Sequence, residues 1–129
     1  MGLMKSITIT LRLPAKELSP NYSVWTRGKK MAQGRAKREA HKLAHIVTLE
    51  ALGRRKPPMW EKATLQADFY WPTMGFPDDD NAMASLKKYR DGIAQAGIVT
   101  NDKILKQLPW TIQKDAKNPR VEITITEVK

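Results

Sequence analysis

Three carboxylates in a row, Asp78, Asp79 and Asp80, stand between Pro77 and Asn81. Adjacent carboxylates repel one another, so such a run needs compensation by solvent, by cations or by a metal ion. It falls where a strand-like segment gives way to a helix-like one. The plain reading is a helix N-terminus, where Asp accepts from free backbone N–H groups and meets the positive end of the dipole. One Asp satisfies that role and three exceed it. Capping and metal binding both stay open on these residues alone. A calcium loop does not: with Asp78 as its first position, the fifth is Ala82 and the twelfth Tyr89, and both fail as ligands.

Asp80, Lys87 and Asp91 are seven and four residues apart. On a helix turning about 100° per residue they lie within about 40° of one another. They make an acid-base-acid stripe opposite Leu86 and Ile93, or else a solvated face with a weak Lys87–Asp91 pair worth roughly a few tenths of a kcal/mol. Asp102 follows after a short turn and is expected to fold back beside Asp78 and Asp80. Hard oxygen ligands so arranged suit Mg2+ or Mn2+. Such an ion would activate a water, hold a phosphate and offset charge on a pentavalent phosphorus, with Lys87 adding a cation. That is phosphodiester hydrolysis without cysteine or histidine.

Two other groups carry less. His41 and His45 have the spacing of a zinc-protease helix, but Lys42 stands where that motif requires Glu. They are expected to extend a basic face. Trp25, Trp60, Trp71 and Trp110 are spread through the chain and read as core, since large aromatic side chains in a small domain are mostly buried.

The formal charge of +10 is unevenly placed: residues 1–62 hold 14 Lys and Arg against 4 acids, and residues 63–129 hold 9 against 9. The excess in the first half points to a polyanion-binding surface. There is no cysteine, which excludes disulfides, thiolate zinc sites and thiol nucleophiles. No apolar run could cross a bilayer and the start lacks a signal-peptide pattern, so the expectation is a cytoplasmic protein with no membrane partner. At 129 residues the chain fits a single domain, 1–129.

Periodicity supplies the elements that must position these groups. Residues 6–13 alternate Ile7, Ile9, Leu11 and Leu13 with polar partners and predict a half-buried strand, ended by Pro14. The Glu17-Leu18-Ser19-Pro20-Asn21 stretch reads as an ordered loop, with Trp25 packed nearby. A long helix runs from about Arg27 to Gly53, regular after Gly34. It has Ala36, Ala40, Leu43, Ala44, Val47 and Ala51 on one face, and Arg27, Lys30, Lys37, Arg38, His41, Lys42 and His45 on the other. Of these, Arg27, Lys30, Lys37, Arg38 and Lys42 are the expected phosphate contacts. Residues 63–71 read as a second strand and 80–96 as a second helix closed by Gly97. A third strand within 104–112 is confined to an edge by Pro109, and 120–128 alternates as a last strand. The expected fold is therefore α+β, a small mixed sheet of about four strands packed with two main helices in the order β-α-β-α-β-β.

Taken together, Asp78-Asp79-Asp80-Asn81, Lys87, Asp91-Gly92-Ile93, Gly97-Ile98, Asn101-Asp102 and the closing Arg120-Val-Glu-Ile-Thr-Ile-Thr-Glu resemble the RusA family of Holliday junction resolvases. The Glu17–Asn21 loop resembles phage and prophage members of that family. The match is ordered and covers nearly the whole chain. It implies a homodimeric Mg2+-dependent endonuclease that makes paired, symmetric cuts in four-way DNA junctions during recombination and repair. The family's essential aspartates fall on Asp78, Asp80 and Asp102, and a further acidic position falls on Asp91. The family lysine falls on Ala84 counted from Asp80, and on Lys87 counted back from Asp91; Asn101 replaces a common family Asp. These departures keep open a DNA-binding module of the same fold without cleavage. A flap or fork nuclease sharing the site is a third possibility.

Overall fold

The alternating segments assemble into one mixed sheet. The computed structural model describes residues 5–75 and 79–129, except the side chains of residues 79 and 80. Its elements are β1 (Ser6–Leu11), α1 (Arg27–Leu52), β2 (Ala63–Trp71), α2 (Asp79–Ala84), α3 (Lys87–Gln95), β3 (Leu105–Gln107), β4 (Thr111–Lys114) and β5 (Arg120–Glu127). Single 3-10 turns lie at Lys16–Leu18 and Asp102–Ile104. The fold is a small α+β domain, with five strands where about four were expected. Among the described residues no helix is long and apolar enough to cross a membrane.

Antiparallel pairing runs β1-β5-β2, and β3 and β4 both join β2 in parallel. The register stacks the apolar residues in rungs: Ile7 with Ile125 and Leu65, Ile9 with Ile123 and Ala67, Leu11 with Val121 and Phe69. All nine are buried, on the face that the helices cover. Burying one Ile or Leu side chain stabilises by about 1.5–3 kcal/mol, so these rungs dominate the core. The opposite face is polar, with Thr8 opposite Thr124 at 2.9 Å between hydroxyls.

The expected third strand is two short ones. β2–β3 partners differ by 42 in number (Leu65 and Gln107) and β2–β4 partners by 43 (Asp68 and Thr111), so one extra residue is accommodated between them. Pro109 lies in that bulge, where no ladder N–H is required. The Gln66 side chain donates to its carbonyl at 2.8 Å.

The long helix is regular from its first turn, Gly34 included. Thr26 caps it, its hydroxyl accepting from the Lys29 N–H at 3.1 Å, and Gly53 ends it with φ 62°. Ala40, Ala44, Thr48 and Leu52 are its buried residues. α3 crosses it at Gly92, where an added Cβ would collide with the His41 carbonyl oxygen and come within 3.0 Å of the Ala44 Cβ. His41 and His45 are consequently half-buried beside α3 rather than part of the exposed basic face. Helix-to-helix contact at that crossing outweighs their polarity.

The expected second helix is broken. Leu86 N–H bonds to the Met83 carbonyl at 3.1 Å and the Ser85 hydroxyl to that of Ala82 at 2.7 Å, a tightened turn that separates α2 from α3. A 3-10 turn advances about 120° per residue, so a stripe projected at about 100° loses phase across it. Gly97, at φ 93° and in close approach to Pro57, then turns the chain back toward the start of β2.

Candidate nucleic-acid interface

The first half of α1 gathers the positive charge. Arg27, Lys29, Lys30, Arg35, Lys37 and Arg38 are all exposed, and its first turn has no acid. Arg27, Lys30, Met31, Gly34, Arg35 and Arg38 line one open cleft of about 530 Å³. Their spacing of three, four, seven, eight and eleven from Arg27 is one helical stripe, about 16 Å long at 1.5 Å per residue. Of the expected phosphate contacts, Arg27, Lys30 and Arg38 lie in this cleft, while Lys37 faces a second one and Lys42 is exposed farther along. Arg35 was missed, although the same helical projection contains it.

The second cleft, about 180 Å³, is formed by Leu18, Lys37, Ala84, Ser85, Lys87 and Lys88. It meets a third, about 280 Å³, at Ser85, and Asn81 and Ala82 of α2 line that third cleft with Lys16, Phe69 and Trp71. Lys37 of α1 thus meets Lys87 and Lys88 in one cleft beside the end of α2, and that cleft shares Ser85 with the one lined by Asn81 and Ala82.

Asp78 lies outside the described residues. The backbone of Asp80 is in α2, but its side chain is also outside them. Lys87 is exposed, and Asp91 pairs with Lys88 at 3.7 Å rather than with Lys87. The Lys87–Asp91 part of the expected stripe is thereby replaced by an i,i+3 pair within α3, while the Asp80 side chain lies outside the described residues.

Asp102 is not beside α2. The 98–100 segment bonds to the start of β2, with Trp60 N–H to the Ile98 carbonyl at 2.9 Å and Thr100 N–H to the Trp60 carbonyl at 3.0 Å. Leu105 then pairs with Ala63, the first residue of β2. α2 instead lines its cleft with Phe69 and Trp71, at the other end of the strand. Six strand steps from Ala63 to Phe69 span about 20 Å at about 3.3 Å each. Arg90 fixes the Asp102 end, donating to the carbonyls of Asp102 at 3.4 Å and Leu105 at 3.0 Å. The parallel crossover explains the displacement: a strand-helix-strand return brings the chain to the start of the first strand, not to its end.

Three acids of the sheet and its turns are already partnered. On the open sheet face Arg120 donates to Asp115 at 2.9 Å, lies 3.5 Å from Glu122 and stacks over Tyr70 at 3.7 Å from the ring centroid. The Arg120 hydrogen bond holds the Asp115 carboxyl below the usual aspartate range. Asp68 accepts from Thr111 at 2.7 Å and Gln66 at 3.2 Å. Among the described residues no three His, Asp or Glu side chains form a group that could hold a metal.

The tryptophans divide. Trp60 is buried, Trp71 and Trp110 are half-buried, and Trp25 is 94% exposed. The expected packing of Trp25 does not occur.

No family model matches the chain. It is 35% identical over 129 residues to a protein of Xylella fastidiosa (strain Temecula1 / ATCC 700964) described as uncharacterized, an alignment covering 98% of this chain and 80% of that relative. With similarity sustained from one end of the fold to the other, the chain belongs to the same protein family as this Xylella fastidiosa protein.

Proposed function

We propose that this chain is a metal-dependent endodeoxyribonuclease of the junction-resolving type, acting in the cytoplasm as a homodimer on branched DNA. The observation that carries the proposal is the cationic stripe on the first half of α1, together with Lys37 of the same helix meeting Lys87 and Lys88 in a cleft beside the end of α2. Cations on α1 bind backbone phosphates, a contact that reads charge and shape rather than sequence. Lys87 and Lys88 hold a phosphate next to α2. Asp78 and Asp80, at the head of the α2 segment in the sequence, offer hard oxygen donors, the ligand chemistry that Mg2+ or Mn2+ prefers. A bound ion supplies Lewis-acid activation of water and offsets charge at the phosphoryl group. Twofold symmetry of a homodimer suits paired cuts in a four-way junction. Asp102 is left out of this donor set because it lies at the far end of β2.

That placement of Asp102 favours a second reading, a DNA-binding module of this fold that does not cleave. The two readings separate when a synthetic four-way junction, a fork and a linear duplex are incubated with Mg2+ or with EDTA and the products mapped. Symmetric, Mg2+-dependent cuts in the junction are expected. Asp80→Asn should lower the rate at least about 100-fold with binding retained, the loss of a few kcal/mol of transition-state stabilisation. Asp102→Asn should cut within a few fold of the parent. Binding without cleavage in Mg2+ supports the second reading, and cleavage confined to the fork makes the chain a fork nuclease.

A further inference from the structure

An apolar residue just before a helix cap ordinarily packs against the fourth helical residue, pinning the entering chain. Trp25 occupies that position before the Thr26 cap, but the fourth residue of α1 is Lys30, and the indole is 94% exposed. Its backbone is nevertheless anchored: the Trp25 N–H lies 3.5 Å from the Ser23 hydroxyl, and Thr26 caps the helix immediately after it. A single exposed apolar side chain is ordinary by itself, but an indole 94% exposed at the head of a cationic stripe presents a flat apolar face beside positive charge. Residues 21–38 contain six cations and no acid, and Arg27, Lys30, Arg35 and Arg38 line the cleft along the helix that starts beside it.

We propose that Trp25 is a base-stacking platform for unpaired nucleotides. A base stacks on the indole while the phosphates that follow track Arg27, Lys30, Arg35 and Arg38. The stripe is about 16 Å long, enough for the backbone of a short run of nucleotides to follow it. Stacking on an aromatic face tolerates any base, and the cationic groove follows the backbone; this pairing characterises single-strand binding. A protein partner covering an indole in this setting would have to bring its own acids, whereas a nucleic acid supplies both the flat apolar surface and the negative charge. The inference rests on the nucleic-acid reading above and deepens it: the preferred ligand has unpaired bases beside its duplex, as at a branch point.

The test uses the full-length protein with three probes of equal length: a dT12 strand, a 12-mer abasic strand and a 12-base-pair duplex. Because the other three tryptophans are wholly or partly buried, dT12 should quench a solvent-exposed emission component that is missing from Trp25→Phe. Trp25→Ala should bind dT12 about tenfold more weakly or worse and bind the abasic strand and the duplex as the parent does. Trp25→Phe, which keeps an aromatic face, should recover most of the dT12 affinity. Equal dT12 binding by parent and Trp25→Ala overturns the platform but leaves the polyanion surface intact. Failure of the parent to bind any of the three probes overturns both readings. If Trp25→Ala changes the sedimenting mass and not the dT12 affinity, the indole covers a protein contact and the platform is wrong.

Discussion

From Arg27 to Arg38, α1 carries six cations, no acid and no buried residue, whereas from Ala40 to Leu52 every fourth residue is buried against the sheet and α3. One continuous helix thus joins a surface with little role in holding the fold to a surface on which the fold depends. The second half has a small residue at the contact, Ala44 meeting Gly92, so the two helices approach closely. The first half keeps long, solvated side chains that lose little by being exposed. On the proposed function, DNA binding and stability are therefore separable along this helix. Substitutions in one half should leave the other property nearly unchanged.

The largest expected effect lies in the first half. Six phosphate contacts imply that DNA affinity falls roughly a thousandfold between 50 and 200 mM salt. The double variant Arg35→Glu with Arg38→Glu should weaken binding strongly and flatten that salt slope, with an unchanged thermal midpoint. Fluorescence anisotropy across a salt series measures both, and a salt-independent affinity would break the comparison on its ligand side.

A smaller effect, on stability alone, is expected where α3 crosses the second half. Gly92→Ala places a methyl group against the His41 carbonyl and should cost about 1–3 kcal/mol, the usual range for overpacking. Urea unfolding would show it as a lower midpoint, with DNA affinity of the folded protein unaltered. An unchanged midpoint would show that the helices can separate at no cost.

The smallest sharpens the same side. Tyr89, buried on α3, donates to the Arg12 carbonyl at 2.8 Å. Tyr89→Phe should cost about 1 kcal/mol near neutral pH. Burial raises the Tyr89 hydroxyl above its ordinary value of 10.0, so its contribution is whole below that pH and is lost as pH climbs through the raised folded value. The variant should lack that component of the alkaline loss, which unfolding curves taken between neutral pH and pH 11 would reveal.

Legibility followed the range of the interaction. The bounds of β2, the start of α1 and the register face of β5 were readable because alternation and 3.6-residue periodicity are local. The split at Ser85 and Leu86 was not, since the same apolar spacing fits an unbroken helix. Pro109 signalled an edge or a break, and the structure has both. Trp25 was misread because aromatic type predicts burial on average, while its actual exposure depends on what the rest of the chain places against it. Asp91 shows another limit: the spacing allows an i,i+4 partner in Lys87 and an i,i+3 partner in Lys88, and the structure has the second.

The sequence by itself determined a small α+β domain with a cationic first half and an acid-rich turn before its second helical segment, because composition, charge and period need no neighbours to be read. Only the tertiary structure decided that β3 and β4 both run parallel to β2, that Lys37 meets Lys87 and Lys88 in one cleft, and that Asp102 lies at the far end of β2 from α2. The reason is geometric. A helix of given length carries the chain a fixed distance, but its direction is set by the strand onto which the chain returns, and strand pairing is a long-range choice.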